Sequence, residues 1–186
     1  KIEIIHMKHY NILAILFGII TILSVGCEPD DICPESTPTT PSLIIGFYDI
    51  SSQESKKNVF GLRAQGVGND NPLTDYNVVT TDSIVLPLKT NTLSTQYKIY
   101  QDYTYSDNGT PDDTLDDIIG GNGDVITLNY STEQVYVSRA CGYKTVFKNV
   151  TLTIEPDTDN WIQSKESLNP NQSVEDETAA HFKLFH

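Results

Sequence analysis

The chain has 186 residues, with 12 Lys and Arg against 25 Asp and Glu, a net charge of -13 and a pI of about 4.5. Neutralising phosphates takes clustered basic side chains, and Arg63 and Arg139 are the only arginines, so nucleic acid is excluded as a partner. The length suits one domain rather than two, since a chain of about 150 residues already buries roughly 68–70% of its unfolded surface.

Residues 1–26 read as a secretory leader. Met7 is the expected start, Lys8 and His9 supply the basic stretch, and residues 12–23 form an apolar run interrupted by Gly18 and Thr21. A run of about twelve residues is too short to cross a ~30 Å hydrocarbon core as a helix. It ends in Leu23-Ser24-Val25-Gly26-Cys27, which resembles a bacterial lipobox, with Cys27 as the lipid-bearing residue and new N-terminus. Ser24 stands where that motif usually has an aliphatic residue, and an ordinary leader cut elsewhere is the alternative. Lipidation implies an outer-membrane location and a membrane partner through the lipid, with the leaflet left open. Glu28, Pro29, Asp30 and Asp31 look like the acidic tags that direct some Bacteroidetes-type lipoproteins to the outer leaflet; the plain alternative is the start of a solvated linker. Pro38 and Pro41 favour an extended backbone before each proline, so residues 27–41 are expected to be a tether and 42–186 a single β-rich domain.

Strand patterns then follow one another. Residues 43–48 (LIIGFY) are apolar on both faces, as in a central strand. Residues 59–64 are a shorter candidate. In 83–88, Ile84, Leu86 and Leu88 alternate, and Pro87 suggests a sheet edge. Residues 96–103 are tyrosine-rich. Residues 125–130 and 134–140 flank Ser131-Thr132-Glu133 and predict a hairpin there, while Gly120-Gly121-Asn122-Gly123 predicts a turn before it. Gly142 leads into 145–154; 161–165 and 181–185 are weaker strands. Residues 174–180 (VEDETAA) predict one or two helical turns. The sum is an all-β chain: an antiparallel β-sandwich, immunoglobulin-like in outline, or a partly open barrel.

Chemistry-bearing motifs are sparse. No Gly-x-Ser-x-Gly elbow or P-loop occurs, so no catalytic residue and no cofactor is assigned. His181 and His186, five residues apart, would point to opposite faces of a strand, which is poor geometry for one metal. Asp107, Asp112, Asp113, Asp116 and Asp117 offer hard oxygens to calcium, but Pro111 breaks the spacing and no closing Glu follows; a solvated acidic loop is the plainer reading. Tyr97, Tyr103 and Tyr105 would share one strand face, with Tyr100 opposite, and could stack on sugars, although cross-strand packing is commoner. Arg139 invites a ligand role beside a salt-bridge role. With Cys27 lipidated, Cys33 and Cys141 are left as an even pair in an oxidising compartment, expected to be bridged, with two buried free thiols as the alternative.

The segment Tyr136-Val137-Ser138-Arg139-Ala140-Cys141-Gly142-Tyr143-Lys144, the opening Cys27…Asp30-Asp31-Ile32-Cys33-Pro34, and the ending Ala180-His181-Phe182-Lys183-Leu184-Phe185-His186 together resemble a family of Bacteroidetes lipoproteins known as a domain of unknown function. The resemblance implies export and lipidation and brings no catalytic residue. Two functional classes remain: a non-enzymatic, lipid-anchored binding or assembly module with an envelope protein as partner, or a carbohydrate-binding accessory protein of the cell surface with a glycan as partner.

Overall fold

The computed structural model describes residues 32–37, 39–110, 112 and 115–186; the leader, Cys27 and Asp113 lie outside them. The described residues hold nine strands and no helix. They are β1 (Leu43–Tyr48), β2 (Val59–Gly66), β3 (Pro72–Thr81), β4 (Ser83–Leu86), β5 (Ser94–Ser106), β6 (Ile118–Ser138), β7 (Gly142–Ile154), β8 (Ser164–Ser167) and β9 (Phe182–Phe185). Two sheets form, in the orders β4-β1-β9-β8 and β3-β2-β5-β6-β7, the second strongly curled, in a sandwich-like arrangement. By contacts the chain divides into a large unit, Pro38–Tyr136 with Tyr143–His186, and a small one whose described residues are 32–37 and Val137–Gly142.

Period-two burial accounts for the sandwich. Leu43, Ile45 and Phe47 of β1 are fully buried and face Ile99, Ile126 and Leu128 in one continuous apolar cluster. Each such side chain contributes roughly 1.5–3 kcal/mol when taken out of water. β1 is central as its double-sided apolar pattern predicts, lying between β4 (antiparallel) and β9, with Ile45 opposite Phe182. The β1–β9 pair is parallel, so the smaller sheet is mixed. β4 is an edge strand that stops at Leu86, immediately before Pro87.

Several expectations are corrected. Ser131-Thr132-Glu133 is not a hairpin loop: β6 runs unbroken from Ile118 to Ser138, and the turn falls at residues 139–141. Polar residues there mark an exposed stretch of strand, and Thr is β-prone, so polarity alone was a false turn signal. Gly120–Gly123 likewise lies within β6. Residues 174–180 are not helical: Val174 bridges Phe147, and Asp176 Oδ1 accepts the Thr178 amide at 2.9 Å, an Asx turn that competes with the first helical turn. Trp161 and Ile162 are buried but irregular, and the strand expected at 161–165 begins at Ser164. β3 was not foreseen, because Leu73-Thr74-Asp75-Tyr76-Asn77 lacks a clean alternation and no residue of the strand is fully buried.

One irregularity bends the curled sheet. The β5–β6 register shifts between Gln101 and Thr104, with Asp102 at φ 50°. Opposite it Gly121 has φ 95°, and a Cβ there would lie 2.7 Å from the Gln101 carbonyl oxygen and 2.8 Å from that of Asp102. The two backbones touch where only glycine fits, and such bulges increase local twist. Gly142 also has positive φ, 68°, but a Cβ there would meet nothing within 4 Å. Gly142→Ala is therefore expected to cost only the left-handed backbone penalty, roughly 1–2 kcal/mol. Gly121→Ala should cost about 1–3 kcal/mol more through the clash, measured by urea denaturation; equal losses would show that contact at Gly121 is unimportant.

Candidate functional site

Three regions hold the polar chemistry. The first is the small unit. Cys33 and Cys141 are joined as a disulfide across 108 residues of sequence, their Cα atoms 4.9 Å apart. The Cys141 amide donates to Ser138 Oγ at 3.0 Å, which shapes the turn. Arg139 lies in that turn, exposed. As half of a cystine, Cys141 has no thiolate to act as a nucleophile. Where β6 and β7 enter the large unit, Tyr136 and Tyr143 stand edge to face, ring centroids 5.4 Å apart, 58% and 66% exposed. Behind them Gln134 Nε2 donates to Thr145 Oγ1 at 2.8 Å. This exposed aromatic pair was missed in the sequence, although the tyrosines flank the turn, three residues before Arg139 and two after Cys141.

The tyrosines singled out in the sequence are placed otherwise. Tyr97 and Tyr103 are buried, 4% and 8% exposed. The Tyr97 hydroxyl donates to the Pro87 carbonyl, and burial pushes its pKa up to about 12. Tyr103 packs edge-on to Tyr100 at 5.2 Å, with the Arg63 guanidinium 4.7 Å from its ring centre. Neither ring offers a face to a sugar. Tyr105 is 56% exposed and pairs across the strands with Ile119. It lies two residues past Tyr103, just beyond the bulge.

The acidic loop is the second region. Thr110 Oγ1 donates to Asp116 Oδ1 at 2.8 Å, Asn108 Nδ2 reaches Asp116 Oδ2 at 3.3 Å, and Asp107 Oδ1 accepts the Gly109 amide at 3.1 Å. The hydrogen bonds from Thr110 and Asn108 hold the Asp116 carboxyl below its ordinary pKa. Asp112 is exposed, Asp117 half-buried, and no cluster of three or more metal-ligating side chains occurs among the described residues.

The third region is a cleft of about 400 Å³ bordered by Leu168, Asn169, Asn171, Glu175, Asp176 and His181, among others. His181, only 6% exposed, accepts the Ile44 amide on Nδ1 at 3.0 Å. That bond places the proton of the neutral ring on Nε2. Asn169 is spent on the loop itself: Nδ2 donates to the Ser173 carbonyl at 2.8 Å and Oδ1 accepts the Asn171 amide at 3.0 Å. His186 packs against Trp161 and Phe47, its ring centre 5.4 and 6.2 Å from theirs, so the two histidines serve different packing tasks. Asp124, whose acidic neighbours in the sequence suggest one more solvated oxygen donor, is instead a fully buried carboxylate on β6. Its Oδ2 accepts the Ile162 amide at 2.8 Å, its Oδ1 has no hydrogen-bond partner among the described residues, and burial raises its pKa. It fixes the loop whose Trp161 indole donates to the Ile99 carbonyl at 3.1 Å.

A family model described as a family of unknown function (DUF6452) matches residues 59–186, and the chain belongs to that family. The match contains the Tyr136–Lys144 segment and the C-terminal strand, and begins after the tether. No curated protein and no solved structure matches the chain.

Burial lowers the pKa of His181 and, in the same direction, of His186, from an ordinary 6.5. The unfolded chain therefore takes up these protons first as the pH falls. The stability that the neutral rings contribute is fully present above about pH 6.5 and is lost as the pH drops toward the folded-state values. Urea midpoints should be flat from neutral pH upward and fall below it. His181→Asn, which keeps an acceptor for the Ile44 amide, should flatten part of that fall; an unchanged pH slope would remove His181 from the account.

Proposed function

We propose that the protein is a lipid-anchored component of the outer membrane, held there by Cys27 and acting as a non-enzymatic module that binds or assembles with another envelope component. The observation that carries this reading is the pairing of Cys33 with Cys141. Disulfides persist in oxidising compartments, which supports export. The pairing also leaves Cys27, of three cysteines, as the one outside the bridge, at the end of the leader-like apolar run. The buried titratable groups support a structural rather than catalytic use: His181 and Asp124 both accept main-chain amides that position neighbouring segments. The carbohydrate-binding reading draws less support, because Tyr97 and Tyr103, two of the three tyrosines it would use, are buried.

Expression in a lipoprotein-processing bacterium tests the anchor. The mature wild type should enter the detergent phase, since acyl chains contribute roughly 0.8 kcal/mol per buried CH₂ and two chains anchor stably. Cys27→Ala should leave the precursor uncleaved or move the protein to the aqueous phase; maturation and partition identical to wild type would defeat the reading. In the same preparation Cys33 and Cys141 should resist alkylation until reductant is added. Closing a loop of about a hundred residues contributes roughly 4.7 kcal/mol in the chain-entropy model, so reduction should lower the urea midpoint substantially. An unchanged midpoint would assign the bridge no stabilising role.

A further inference from the structure

We infer that the outward face of the curled sheet around Arg63, Lys98 and Tyr100 is a binding site for an acidic saccharide, a sugar ring that bears a carboxylate. The inference rests on the binding-module reading above and deepens it by naming a ligand; it does not depend on lipid at Cys27.

Register brings the residues together, all of them within the large unit. Across β2 and β5, Arg63 stands opposite Tyr100 and Gln65 opposite Lys98. Across β2 and β3, Arg63 stands opposite Asn77. Opposed residues share a face, and the intervening Ala64 and Ile99 are fully buried in the core, so these five lie on the side away from it. Gly123 of β6 stands opposite Tyr100. A Cβ there would lie 2.5 Å from Tyr100 Cδ1 and Cε1 and 2.9 Å from Lys98 Cε. The glycine therefore lets both side chains lie down over β6, with the Lys98 ammonium 4.9 Å from the centre of the Tyr100 ring.

Hydrogen bonding makes this face a surface of donors. Arg63 Nε donates to Gln65 Oε1 at 3.2 Å, Nη1 to Asn77 Oδ1 at 3.0 Å, and Nη2 to the Asp70 main-chain carbonyl at 2.8 Å. All three acceptors are neutral, so the guanidinium is held in place with its charge uncancelled, and two of its five N–H groups remain. A guanidinium only donates, so the side-chain oxygens of Gln65 and Asn77 turn towards it and their NH₂ groups turn away. Neither Arg63 nor Lys98 has a carboxylate partner among the described residues, in a chain with 25 acidic side chains.

A face of two cations and two amide NH₂ groups complements a ligand rich in acceptors and negatively charged. A carboxylate fits the guanidinium and ammonium, sugar oxygens fit the amides, and the ring fits beside Tyr100. An acidic peptide supplies the charge but also brings main-chain N–H donors, which this face does not answer. Tyr100 is only half-buried, so the burial of Tyr97 and Tyr103 does not count against it. The acids elsewhere in the chain are screened beyond about 8 Å at physiological salt.

Calorimetric titration of the full chain in detergent tests the site, with a galacturonic acid tetramer, the neutral galactose tetramer, inorganic phosphate and polyaspartate as probes. The acidic tetramer should bind, less tightly as salt rises, and the other probes should bind at least roughly tenfold more weakly. Lys98→Gln should weaken the acidic tetramer roughly tenfold, the worth of one charge-assisted hydrogen bond, while the urea midpoint stays put. Lys98→Arg should restore binding, and Lys165→Gln, on β8 of the other sheet, should match wild type. No binding of the acidic tetramer, equal binding of the neutral one, or wild-type affinity in Lys98→Gln would overturn the inference. Phosphate bound as tightly as the tetramer would reduce the face to a simple anion site, and polyaspartate bound more tightly would assign it to an acidic protein; either result rejects the saccharide. Detergent partition reads the anchor separately. A chain that partitions as a lipoprotein but ignores the tetramer loses this inference alone, and one that binds the tetramer without partitioning loses only the anchor.

Discussion

The length of β6 is the constraint on which the rest of the molecule depends. Twenty-one residues of strand, at ~3.3 Å each, follow a path of about 70 Å. The alternately buried residues Asp124, Ile126, Leu128 and Tyr130 occupy seven positions near its middle, about 23 Å. A strand that long cannot lie flat against a four-stranded sheet whose own strands have four to six residues. It bends at Gly121, where the β5 bulge brings two backbones into contact, and it overhangs the core at both ends. One overhang carries Ile118 and Ile119, each 59% exposed, next to the acidic loop; the other carries Tyr136 and leads into the bridged turn. On β6 the large exposed side chains therefore lie on the extensions, and the middle of the strand is committed to packing.

What the sequence made legible follows from how local its causes are. β1, β4 and β7 are set by patterns of apolar residues that any burial would reward, and their positions were readable. The Cys33–Cys141 bridge was readable because the lipobox-like context of Cys27 sets that cysteine apart in the sequence and leaves the other two as a pair. β3 and the continuity of β6 were not, because their exposed residues gain from cross-strand hydrogen bonding that no local pattern encodes. Ser131 shows the difficulty: its hydroxyl donates to the Lys148 carbonyl at 3.2 Å, a contact made across strands by a residue that reads locally as loop. Gly121 shows the converse. Its place in a glycine-rich run reads as a turn, yet the glycine is required by a neighbouring strand twenty residues earlier in the chain.

The buried polar groups divide by what they hold. His181 receives the Ile44 amide, so the approach to β9 is bonded to β1 by a side chain before the parallel ladder begins at Ile45 and Phe182. Asp124 does the same for the Trp161–Ile162 loop. Lys183, only 7% exposed on β9, lies 3.2 Å from Glu54 and 3.7 Å from Glu166, with the Tyr48 ring centre at 4.9 Å. Removing one partner of such a group leaves the other desolvated, which costs more than the bond itself contributes. A four-residue terminal strand has little area with which to hold its register, and these contacts give it a specific one.

Charge is distributed along β6 as unevenly as burial. Before its start lie Asp107, Asp112, Asp113, Asp116 and Asp117; past its end lie Arg139 and Lys144. At physiological salt a charge is felt over about 8 Å, a small fraction of the strand's path. The field at the basic end is therefore set locally rather than by the net charge of -13: Lys148 meets Glu133 at 3.9 Å and also Glu175, and Lys144 interacts with the Asp176 carboxylate.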